Sequence, residues 1–188
     1  MALLLVRHGE TEWSRSGRHT SVTDLPLTSV GEDQARALAS RLADYDPVLT
    51  LVSPRHRARR TAELAGARDA RVDERLVEWA YGDAEGRTTL EVREDVPGWT
   101  VWNGPVPGGE EAADVGRRCD DLLASVTELV DVAEHDVLLI AHAHVLRVLA
   151  ARWLGLPAVD GRLLRLDTAR LSVLGHERDQ PVLLRWNA

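Results

Sequence analysis

The chain contains no lysine; all 23 of its basic residues are arginine, a bias of genome composition that says little about mechanism. It has a single cysteine, Cys119, which excludes an internal disulfide framework and a cysteine-rich metal site. No apolar run approaches the roughly 18 residues that a membrane span needs. No basic leader precedes the first apolar stretch, so a cytoplasmic protein without membrane contact is expected. Positive charge is also in deficit: the formal net charge of −7 argues against non-specific nucleic-acid binding. Any anionic ligand must therefore be met by arginines placed locally. At 188 residues the chain is read as one domain, 1–188, long enough to bury a core.

What is present begins with Ala2-Leu3-Leu4-Leu5-Val6, a short buried strand by pattern, followed at once by Arg7, His8 and Gly9. Parallel α/β sheets deliver ligand-handling residues at the carboxyl ends of their strands. Arginine grips phosphate with paired N–H bonds, neutral imidazole is a nucleophile near pH 7, and glycine allows close backbone approach. Trp13 to Asp24 reads as a polar, ligand-facing loop. Thr28 or Ser29 caps the next helix, with Ser29 and Glu32 fitting a capping box, and Ala35, Leu38, Ala39 and Leu42 supply its apolar stripe. Val48 to Val52 is a second buried strand, and Ser53-Pro54 opens a helix with proline in its first turn. That helix carries Arg57 near the strand end, while Arg59 and Arg60 fall on a solvated face.

Arg71 to Asp73 is a short edge strand, and Leu76 to Gly86 is an acidic, aromatic loop ahead of a helix from about Thr88. Asp95 to Gly109, with Trp99 and Trp102, forms a lid or rim. Glu110 opens a long helix whose stripe of Ala112, Val115, Cys119, Leu122, Val126 and Leu129 makes Cys119 a core residue. The Cys-x5-Arg pattern of cysteine phosphatases fails, because Ser125 stands where the arginine belongs. Val137 to Ala141 is the most apolar strand and ends in His142. A helix follows from Val145 to about Leu154, and two strands close the chain around a turn from His176 to Pro181. Folded so that strand ends coincide, Arg7, His8, Arg57 and His142 would surround one anion, with Glu78 nearby. These are the parts of phosphoryl transfer.

The order of these motifs resembles the histidine phosphatase, or phosphoglycerate mutase-like, superfamily over nearly the whole length. Arg7-His8-Gly9-Glu10-Thr11 matches its signature; Ser53-Pro54-x-x-Arg57-Ala58-x-x-Thr61-Ala62 its second motif; Leu76-x-Glu78 with Tyr81-Gly82 and Glu85-Gly86 its acid segment; Ala141-His142 its fourth. The resemblance implies a three-layer α/β/α sandwich with a mostly parallel sheet and an antiparallel edge strand. It makes His8 the phosphorylated histidine, Glu78 the general acid, and Arg7, Arg57 and His142 the phosphate pocket. The stretches Ser16 to Thr20, Glu78 to Asp83 and Ala141 to His144 are similar to small actinobacterial acid phosphatases and to sedoheptulose-1,7-bisphosphatase. Ala143 replaces the usual glycine, and Ala84 replaces a bulky residue, which would widen the substrate side. Glu111 replaces a serine, with no derivable consequence.

The implied reaction is metal-independent, cofactor-free hydrolysis of a small phosphorylated metabolite in two steps. To donate a proton near neutrality, Glu78 must be lifted from the reference value of about 4.3 by burial or by substrate charge. Ser14, His19, Thr20, Trp79, Tyr81 and Ala143 are the candidates for the substrate side, with plain packing an open alternative. His144 reads as a helix-start or core histidine. Phosphoglycerate mutase-type transfer and a non-catalytic phospho-ligand module are the rival readings. The sequence leaves the substrate open, and the oligomeric state too, a homodimer being one option.

Overall fold

The computed structural model describes residues 2–130 and 134–188. The opening apolar run forms strand β1 (Leu3–Arg7). Its alternation divides it between two cores: Leu3 and Leu5 join one, Leu4 and Val6 the other. A strand covered on both faces has no polar side to show, which is why it reads as an unbroken apolar run. The same holds for β4 (Asp136–Ala141), whose Leu139 and Leu138 fall to opposite cores.

With β2 (Pro47–Val52), β3 (Arg71–Val72), β5 (Leu171–Glu177) and β6 (Gln180–Arg185), the six-stranded sheet has the order β3-β2-β4-β1-β5-β6. The first four in that order are mutually parallel; β5 runs antiparallel to β1, and β6 antiparallel to β5. Helices α2 (Ser29–Leu42) and α3 (His56–Leu64) cover one face through Leu38, Ala58 and Ala62. Helices α5 (Ala112–Leu129) and α6 (Ala143–Trp153) cover the other through Val115, Cys119, Leu122, Val145 and Leu149. The result is a three-layer α/β/α sandwich, mostly parallel with an antiparallel edge. Cys119 is buried in it, and burial pushes its thiol up to about 12. Among the described residues no helix is long and apolar enough to cross a membrane.

Several boundaries differ from the sequence expectations, each for a local reason. The stretch after Trp13 is not all loop: Glu12–Ser16 is helix α1, started by a reciprocal capping box between Thr11 and Ser14. Helix α2 is capped by Thr28, whose hydroxyl accepts from Gly31 N at 3.0 Å, and Glu32 is engaged instead by Arg36 and Arg60. Helix α3 starts two residues beyond Pro54, because Ser53 still extends the sheet by donating to Ile140 O. Helix α4 (Thr89–Asp95) starts where expected, within one residue, and Thr88 is its cap. Helix α5 begins at Ala112 because Glu111 and Asp114 form its capping box. Helix α6 begins at Ala143, two residues early, for a reason that belongs to the site below. The closing turn is tighter than expected: His176, Glu177, Gln180 and Pro181 all pair in the ladder, leaving Arg178 and Asp179 to turn. Ala84 packs in the core and does not border the cleft.

Candidate active site

Three adjacent parallel strands end together. Arg7 pairs with Ala141, and Val52 with Ile140, so His8, His142 and Ser53 follow at one edge of the sheet. The His8 and His142 rings stand 5.1 Å apart, edge to face. Nδ1 of His8 lies 2.7 Å from Gly9 O. A carbonyl can only accept, so Nδ1 carries the proton and the Nε2 lone pair is free. Burial, then the charges of Arg57 and Arg7, holds this imidazole well below its usual range, and it stays neutral into mildly acidic conditions. The turn is held from behind by Thr61, whose hydroxyl accepts from Gly9 N at 3.0 Å. A Cβ on Gly9 would stand 2.3 Å from Gly31 O, and one on Gly31 2.1 Å from Glu10 O. The two glycines let α2 abut the nucleophile turn backbone to backbone.

Arg57 and His142 are brought against His8, but neither has any solvent exposure. Arg57 donates through Nε to Nδ1 of His142 at 3.2 Å, and through its terminal nitrogens to the carbonyls of Thr20, Ser21 and Thr23. His142 in turn donates from Nε2 to Ser53 Oγ at 2.7 Å. The loop supplying those three carbonyls is clasped by Glu85, which accepts from Ser21 N with both oxygens at 2.9 Å and from Thr23 N at 3.0 Å. Arg7 is half-buried and reaches the cleft. Its Nη1 donates to Leu166 O at 2.7 Å, while its Nε has no partner among the described residues.

Glu78 lies across from His8, 5% exposed. Its carboxylate accepts three backbone N–H bonds: Trp79 N at 3.0 Å, Val145 N at 2.8 Å and His144 N at 3.0 Å. Two of these come from the first turn of α6, whose N-cap His142 makes no side-chain cap. A carboxylate from a distant loop thus supplies the cap, and that is why α6 can begin at Ala143. The acid loop is itself tied down by Arg118, which donates to the carbonyls of Arg75 and Val77 and pairs with Glu110.

Arg7, His8 and Glu78 open into a cleft of about 290 Å³ that Ser14, His19, Thr20, Tyr81 and Ala143 also line. Ala143 is helical there, so the position does not require glycine's freedom. Ser14 spends its hydroxyl on the α1 capping box. Trp79 does not reach the cleft: it is fully buried, donates from Nε1 to Glu110 O at 2.7 Å and packs edge-on against Trp102. The expectation that it shapes the substrate side is corrected, because the acid loop turns it into the core. His144 is both at the helix start and on the cleft wall. Arg18, Arg147 and Arg165 line the cleft as well. Arg147 is legible in retrospect, four residues after Ala143 on the same helix face; Arg165 sits in a stretch without pattern. A larger groove of about 650 Å³ at the other end of the sheet, by Tyr45 and Arg71, holds none of the site residues. Among the described residues no three His, Cys, Asp or Glu gather as a metal-ligand set.

Against known proteins, the profile described as "Histidine phosphatase superfamily (branch 1)" matches residues 3–188. The chain is 40% identical over 177 residues to an acid phosphatase of Mycobacterium tuberculosis, covering 93% of this chain and 86% of that one. It is 34% identical over 183 residues to the sedoheptulose 1,7-bisphosphatase of Saccharomyces cerevisiae, covering 81% and 67%. A solved open-reading-frame product of M. tuberculosis superposes with a TM-score of 0.93 at 38% identity, covering 99% of this chain and 96% of that one.

Proposed function

Since the chain belongs to the histidine phosphatase superfamily and is a phosphoric monoester hydrolase, we propose that it hydrolyses small phosphorylated metabolites through a phosphohistidine on His8, with Glu78 as general acid and base. The observation that carries this reading is the Nδ1–H bond from His8 to Gly9 O, which aims a neutral Nε2 lone pair into the cleft that Glu78 shares. Nε2 attacks phosphorus as the bond to the leaving oxygen breaks, and Glu78 passes its proton to that oxygen. Water then attacks the phosphohistidine, giving its proton to Glu78 and releasing phosphate. Arg7 faces the transferred group directly. Arg57 and the neutral His142 stand immediately behind His8, where the guanidinium adds positive charge to the phosphate seat. Ser14, His19, Thr20, Tyr81 and Ala143 border the leaving group.

The reading is tested by rapid quenching with a radiolabelled aryl phosphate, chelator present, and His8→Ala as control. Label on His8 during turnover, and its loss with turnover in the variant, is expected. Turnover surviving in His8→Ala would refute the covalent route.

A further inference from the structure

Glu78 uses its two oxygens unequally. Oε1 accepts two backbone bonds, from Trp79 N and Val145 N, whereas Oε2 accepts a single one, from His144 N. A carboxylate oxygen offers about two lone-pair sites. Oε1 is therefore full, and Oε2 keeps the one site at which a transferable proton can sit.

Facing Oε2 is Nδ1 of His144, 3.9 Å away. A protonated Nδ1 there would draw in Oε2 as an ion pair and hold Glu78 as a carboxylate with nothing to donate. Tyr81 stands in the way: its hydroxyl lies 2.6 Å from the same Nδ1. One ring nitrogen serves one such partner, so Nδ1 bonds to Tyr81 and not to Glu78. The charged and titratable groups around His144 come from every neighbouring element: Glu78 and Tyr81 from the acid loop, His19 from the loop after α1, Arg7 from β1 and Arg147 from α6. Burial, then Arg147, His19 and Arg7, disfavour an imidazolium, and Trp102 covers the ring edge-on at 5.3 Å.

The geometry points to Tyr81 and His144 as paired positioning residues: the Tyr81 hydroxyl occupies Nδ1 of His144, and Oε2 of Glu78 is thereby left free to carry the proton that passes to the departing alkoxide. This rests on the general-acid reading of Glu78. The proton leaves Oε2 as the P–O bond breaks and returns from the water that attacks phosphohistidine; Tyr81 and His144 gain and lose none.

The test compares an aryl phosphate, whose leaving group needs little protonation, with glycerol phosphate, which needs a proton. Tyr81→Phe keeps the ring but frees Nδ1 for Glu78. Its kcat on glycerol phosphate relative to the aryl ester should drop roughly tenfold, a fraction of the full general-acid effect. The drop should deepen as pH falls and the freed imidazole charges. Adding His144→Gln removes the competing cation and should return the ratio towards the wild-type value. An unmoved ratio in Tyr81→Phe, or a double variant as impaired as the single one, overturns the pairing. Glu78→Gln separates the two levels: if it spares glycerol phosphate, the general-acid reading itself fails, whereas a selective loss there with none in Tyr81→Phe sinks only the pairing. Nitrogen NMR of the unaltered protein gives a reading independent of folding in the variants. His144 should remain neutral well below the usual histidine range; an imidazolium near neutrality would overturn the proposal.

Discussion

Replacing Glu85 by glutamine tests whether the buried arginine is held by a loop that the acid segment itself organises. Glu85 accepts from Ser21 N and Thr23 N, and the carbonyls of Thr20, Ser21 and Thr23 take the terminal donors of Arg57. Glutamine keeps one acceptor oxygen but loses the charge and sets an NH2 against the Ser21 N–H. Hydrogen bonds to a charged partner stabilise by about 1.5–3 kcal/mol and neutral ones by about 0.5–1.5. The partial exposure of Glu85 halves the difference, and a loss of about 1–2 kcal/mol follows. For a chain of this size that lowers the melting midpoint by roughly 2–8 °C. The catalytic consequence is larger than the stability alone implies, because a loosened loop lets Arg57 drift from His142 and His8. A roughly tenfold fall in kcat/KM corresponds to about 1.4 kcal/mol of lost transition-state stabilisation. Calorimetry and aryl phosphate kinetics on the same preparation read both. A variant that melts with the wild type and turns over within about twofold of it would refute the coupling.

Two other outcomes follow from the same framework. Gly31→Ala should destabilise by about 1–3 kcal/mol despite alanine's better helix propensity, since its Cβ would meet Glu10 O at 2.1 Å; a raised melting midpoint would contradict the backbone contact. The imidazoles of His8, His142 and His144 all lie well below 6.5, chiefly through desolvation. The unfolded chain therefore takes up protons below about pH 6.5 that the folded chain refuses, and stability falls as pH drops, by up to about 1.4 kcal/mol per unit for each histidine. Urea unfolding at pH 7 and pH 5 measures it, and a flat or rising midpoint towards acid would exclude the effect.

The elements legible in the sequence were those whose signal is contiguous. β1 and β4 are doubly buried and read as apolar runs, and the stripe of α5 needs no knowledge of its neighbours. His8 and Arg7 were visible because strand and polar turn adjoin. The start of α6 was not, because its cap comes from Glu78, more than 60 residues upstream. Trp79 was misplaced because its neighbour Glu78 faces the cleft while the irregular chain sends the indole inward. No periodicity governs such a loop. The clasp of Glu85 on Ser21 and Thr23 was equally silent, being a pairing of a side chain with backbone that any sequence would offer.

The seat at the head of α6 has a consequence of its own. Helix starts ordinarily receive the negative group of an incoming ligand. Here that place is occupied permanently by an internal carboxylate, bonded to His144 N and Val145 N. The visiting phosphate cannot compete for it and must be met by other groups, the cleft's arginines among them. The resident carboxyl and the transient phosphate are thus assigned to separate hosts, and neither displaces the other from its seat.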